Sequence, residues 1–150
     1  MKWTKDNSIA LTRGCVAVFA AALLLVDIFG YRLVVWYAHL RNMGGLHQCL
    51  SFMISLYTLS IFAWILLWNM WKLLSNMDKG DVFTAANIKH LRTVSWCCGL
   101  AAVICAASAV YYPPFLFAAA AAAFMMLIVR IVKNVFQTAS EMKSELDLTI

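Results

Sequence analysis

Charge is what this chain has least of. Only 13% of its 150 residues are Asp, Glu, Lys or Arg, against about 25% in ordinary soluble domains. Acidic residues are scarcest, seven against twelve Lys and Arg. Two prolines and six glycines leave long stretches without a helix breaker. None of the five cysteines, Cys15, Cys49, Cys97, Cys98 and Cys105, forms a C-x-x-C pair. So little charge excludes a disordered chain, which needs high net charge and few apolar residues. It also excludes a water-soluble globule, because a chain this small buries too little surface to hide a 64% hydrophobic composition.

What is present is long apolar runs. A membrane helix needs about 17–25 mostly apolar residues. Four runs meet that length, at about 13–30, 49–71, 94–112 and 115–132. They are continuous rather than alternating, which excludes a β-barrel. Backbone groups in lipid must pair within their own segment, so the runs are helices. The expected fold is an all-α integral membrane protein, a single four-helix transmembrane domain over residues 1–150. It carries a short amphipathic helix before span three and an extension of span four. No internal repeat interrupts it, and Ala118 to Ala123 is its one low-complexity stretch.

Basic residues set the orientation. Lys2, Lys5 and Arg13 precede span one, and Lys72, Lys79, Lys89 and Arg92 join spans two and three. Arg130, Lys133 and Lys143 close the chain, while the opposite side has only Arg32 and Arg41. Ten against two puts both termini, the loop 72–93 and the tail 133–150 in the cytoplasm. The net charge of +5 reports this topology beside anionic lipid, and direct nucleic-acid binding is not expected. A cleaved signal peptide is the competing reading of the N-terminus. No small-x-small site follows the run, so span one is expected to stay.

The connections differ in kind. Tyr31 to Gln48 reads as an outer loop whose LVVWYAHL stretch would lie in the interface, where Trp and Tyr belong. Tyr111, Tyr112, Pro113 and Pro114 make a tight hairpin between spans three and four. Small residues of span three, from Gly99 to Ala109, and the alanine run of span four predict a closely packed antiparallel pair. In span two, Trp68 and Trp71 read as interface anchors.

Residues that could carry chemistry are few. Cys97 and Cys98 point about 100° apart on a helix, which suits neither a metal nor a redox dithiol. His39, His47 and His90 fall on loops on opposite sides. No cofactor, no metal site and no catalysis are expected, and a quinone-linked thiol oxidase is disfavoured. Asp27 is the one acid inside a span, about one turn before its outer end. An intramembrane carboxylate is costly and a functional candidate by default. Three roles are open: an interfacial acid, solvated or paired with Arg32; an ion-coupling group; or a bond to a polar residue of span two such as Ser51 or Ser55.

The loop 72–93 is richer. Thr84 suits an N-cap, with Phe83 and Ile88 at the two positions of a hydrophobic staple. Ile88, Leu91 and Ser95 then share one stripe of a helix that starts at Ala85 and runs into span three. Apolar residues from Ile128 to Met142 recur at helical spacing, so span four projects beyond the membrane. Its end, Glu145-Leu-Asp-Leu-Thr-Ile150, alternates like a strand. An apolar terminus calls for something to pack on, either the loop helix or another protein.

Two of these segments carry a resemblance. Gly80-x-x-Phe83-Thr84-x-x-Asn87-x-x-x-Leu91-Arg92 and Glu145-x-Asp147-Leu148-Thr149-Ile150 resemble the signatures of domain-of-unknown-function family two-nine-seven-five. This is a group of small four-span bacterial membrane proteins. The resemblance implies a bacterial plasma-membrane protein and, because members are often encoded beside a small Xre-type helix-turn-helix regulator, a regulatory partner. It implies no catalytic residue. Asp27 matches no motif of the group. The expected function is therefore a membrane-bound regulator or adaptor rather than an enzyme. Its partner-binding residues would be Phe83, Asn87, Leu91, Arg92, Glu145, Asp147, Leu148, Thr149 and Ile150. The alternatives are a transporter or channel subunit built on Asp27, which as four short spans would work as a homo-oligomer, and a structural subunit of a membrane complex.

Overall fold

The computed structural model describes residues 5–40, 46–78 and 83–149. They form four helices: α1 (Lys5–Leu40), α2 (Leu46–Asp78), α3 (Ala85–Ser108) and α4 (Phe115–Thr149). All four are long and apolar enough to cross a membrane. The protein is an all-helical, multi-pass membrane protein, and no strand occurs among the described residues.

The helices outrun the apolar spans. α1 does not stop at Gly30 but continues through LVVWYAHL to Leu40. That stretch was expected as an interfacial loop. It contains no proline or glycine, so nothing breaks the hydrogen-bond ladder. Gly30 has a packing role instead: a Cβ there would stand 3.2 Å from Leu56 Cδ2 and 3.4 Å from the Tyr57 hydroxyl. All three histidines lie on helices rather than loops.

α3 begins where the sequence predicts. Thr84 is its N-cap, in extended conformation, and its carbonyl accepts the Ile88 N–H at 3.2 Å; the threonine side chain makes no capping bond. The Phe83 ring packs on Phe136 of α4, with centroids 5.3 Å apart. At the other end Ser108 closes α3, and the tight hairpin follows. Phe115, Leu116 and Phe117 donate to the carbonyls of Tyr112, Pro113 and Pro114, so α4 starts with a 3₁₀-type turn.

The C-terminal segment is helical through Thr149, not strand-like. Five alternating residues with no neighbouring strand gain no ladder bonds, whereas continuing α4 adds one bond per residue. Thr149 Oγ1 itself donates to the Glu145 carbonyl.

Each helix packs on its sequence neighbour, α1 on α2, α2 on α3 and α3 on α4, and the backbones of non-consecutive helices do not approach. The result is an antiparallel row rather than a closed bundle. Its surface of 10454 Å² far exceeds the roughly 7,600 Å² expected of a soluble monomer of this mass. α3 holds the centre: 39% of its most apolar window is buried, against 11% for α1 and α2 and 6% for α4. Its inner stripe is Asn87, Leu91, Val94, Ser95, Cys98, Cys105 and Ser108, at the spacing of three and four that keeps one helix face. The alanine run of α4 meets α3 only in part, with Ala119 buried and Ala118, Ala120, Ala121 and Ala123 exposed. The two helices come close at Gly99, where a Cβ would stand 2.8 Å from Met126 Sδ.

Candidate functional site

α2 is hydrogen-bonded to both neighbours. Toward α1, Ser60 Oγ and Trp64 Nε1 donate to the two carboxylate oxygens of Asp27, at 2.5 and 2.8 Å. Toward α3, Asn76 Nδ2 donates to Asn87 Oδ1 at 2.8 Å, Asn69 Oδ1 meets His90 Nδ1 at 2.8 Å, and the Ser55 and Ser108 hydroxyls meet at 2.7 Å. Asn87 has no exposed surface at all. A buried polar group without a partner is expensive, so these pairs fix the register of three helices against one another.

Asp27 lies well inside α1, because the helix continues past Gly30 to Leu40. It lies thirteen residues before the end of α1, about 20 Å along the axis. Tyr37 marks one side, since its hydroxyl donates to Tyr112 at 2.6 Å within a cluster that includes Phe52 and Phe115. Arg13 marks the other side, ion-paired with Asp78 at 3.2 Å and placed 5.5 Å from the Trp71 ring. Asp27 is about 15 Å from the first level and about 21 Å from the second along α1. Its partners are Ser60 and Trp64, not Arg32, Ser51 or Ser55. A bond to span two had been one of three open roles. The residues supplying it could not be picked out without the facing register.

The residues expected to bind a partner do not converge. Asn87 and Leu91 are buried, so in this structure that part of the loop motif packs inside the protein. Arg92 is exposed at the junction of α3 and α4. Phe83 is half-exposed against Phe136. Glu145, Leu148 and Thr149 are exposed on the far end of α4. Asp147 is part of that helix, and Ile150 lies outside the described residues. Leu148 stands twelve residues beyond Phe136, about 18 Å along α4. It is 86% exposed, so the tail does not fold back on the loop helix.

Three features were missed by sequence reasoning: the Asn69–His90 pair, the Asn76–Asn87 pair, and a groove between α3 and α4. The groove, of about 340 Å³, is lined by Arg92, Ser95, Trp96, Met126, Arg130 and Lys133. The clustering of polar residues at both edges of the loop 72–93 was the available signal for the two pairs.

Compared with known proteins, residues 14–150 match the family described as protein of unknown function, DUF2975. No curated protein matches the chain, and no solved structure does.

Proposed function

The chain belongs to the DUF2975 family, and from that starting point we propose that it is a non-catalytic, membrane-bound adaptor of the bacterial plasma membrane. In this reading both termini are cytoplasmic, and the projecting end of α4 holds a small cytoplasmic regulator of the Xre helix-turn-helix type away from its operator. One observation carries the reading. α4 runs 35 residues, about 52 Å, and its last turns display Met142, Leu146 and Leu148 in the open. Burying Leu146 and Leu148 against a partner would contribute roughly 3–6 kcal/mol before the cost of association. A partner that binds only one state of the regulator shifts its balance between membrane and DNA.

A transporter built on Asp27 is the less favoured reading, because both carboxylate oxygens are already engaged by α2. That arrangement suits an interhelical clamp.

The test is co-purification, in mild detergent, of a small Xre-type helix-turn-helix protein from the same cell with the full chain and with a chain lacking residues 146–150. Recovery with the full chain alone is expected, together with a change in a reporter under that regulator's control. Equal recovery, or none with either chain, overturns the adaptor reading.

A further inference from the structure

We propose that the groove between α3 and α4 is a binding site for the headgroup of an anionic phospholipid. Three cations line it: Arg92 from α3, with Arg130 and Lys133 from α4. A second depression, bounded by Lys89, Arg92 and Trp96, adjoins the first through Arg92 and Trp96. No side chain among the described residues pairs with Arg92, Arg130 or Lys133; the one ion pair among them is Arg13–Asp78.

Depth makes this absence matter. Arg130 and Lys133 lie fifteen and eighteen residues beyond Phe115 at the hairpin, about 22 and 27 Å along α4. Arg92 lies sixteen residues before Ser108, about 24 Å along α3. The hydrocarbon slab is about 30 Å thick. With the hairpin tyrosines at one face, the three cations sit a few ångströms inside the other. Cations at that level are costly, and these three, with no partner among the described residues, call for a counter-charge. A lipid phosphate is the anion resident at that depth, and basic pockets between membrane helices are suited to it.

The walls fit the rest of such a ligand. Trp96, one turn deeper than Arg92, is 60% exposed, an apolar surface beside which an acyl chain can lie. Met126 forms the floor, drawn against α3 by the missing side chain at Gly99. A soluble phosphate would use the cations and leave this apolar wall bare.

The full chain, purified in mild detergent, is exchanged into mixed phosphatidylglycerol and phosphatidylcholine, and retained lipid is read by native mass spectrometry. Preferential retention of phosphatidylglycerol is expected. It should fall about fivefold for each of Arg92→Gln, Arg130→Gln and Lys133→Gln. The control pair Lys72→Gln and Lys143→Gln should leave it unchanged, and Arg130→Lys should keep most of it. Equal retention of the two lipids overturns the proposal on the wild-type protein alone, whatever the folding of the variants. Loss in the control pair equal to that at the groove also overturns it, as does displacement of phosphatidylglycerol by millimolar inorganic phosphate, which would make the site one for a soluble anion.

Discussion

Asn76 and Asn87 are joined side chain to side chain at 2.8 Å, one near the end of α2 and the other in the first turn of α3. Asn87 is wholly enclosed, so the bond sits where water cannot replace it. The family-like motif of the loop thus tethers the beginning of α3 to α2. Asn87→Ala should lower stability by about 1–3 kcal/mol, because it removes a fully enclosed hydrogen-bonding side chain and leaves half-buried Asn76 without this partner. Thermal unfolding in detergent measures it, and an unchanged midpoint would remove the tether.

Asp27 clamps α1 to α2 through two donors. Interhelical bonds in membranes are individually modest, so Asp27→Leu should cost roughly 1–3 kcal/mol in all. Asp27→Asn keeps an acceptor and should cost less. Proton or cation flux in proteoliposomes is expected to be absent from both the native protein and Asp27→Asn. A flux that the native protein supports and Asp27→Asn abolishes would establish the ion-coupling role instead.

Gly99 lets Met126 approach α3. A methyl group displaces only the end of a flexible side chain, so Gly99→Ala should be mild. Gly99→Leu should wedge α3 from α4 and cost about 1–3 kcal/mol, as overpacking does. Unfolding in mixed micelles separates the two variants. Equal effects would mean that α3 and α4 do not depend on this contact.

Orientation is open to labelling. On the basic asymmetry, the hairpin is expected outside and the α4 extension inside. In a background with Cys15 and Cys49 replaced by Ser, a membrane-impermeant thiol reagent on intact cells should reach Tyr111→Cys and not Ser144→Cys. The opposite pattern would invert the topology.

Amino-acid order alone determined the membrane class, the four helices, the start of α3 after Thr84 and the hairpin at Tyr111 to Pro114. Each is written locally, as apolar length, cap preference or a proline pair, and needs no knowledge of a neighbour. Order alone also misled where two local patterns compete. The alternation of Leu146 and Leu148 resembles a strand, but without a partner strand the helical ladder of α4 wins. LVVWYAHL resembles an interfacial loop, but without a breaker α1 runs on. Only the tertiary structure decided the rest. Asp27 has serines and a tryptophan of α2 within reach of its helix, and which of them bond it depends on the sliding register of α1 on α2. Asn87 resembles a docking residue until the α2–α3 contact encloses it. Arg92 is about forty residues from Arg130 and Lys133 in the chain, and the three line one groove because an antiparallel hairpin returns α4 alongside α3 at the same depth.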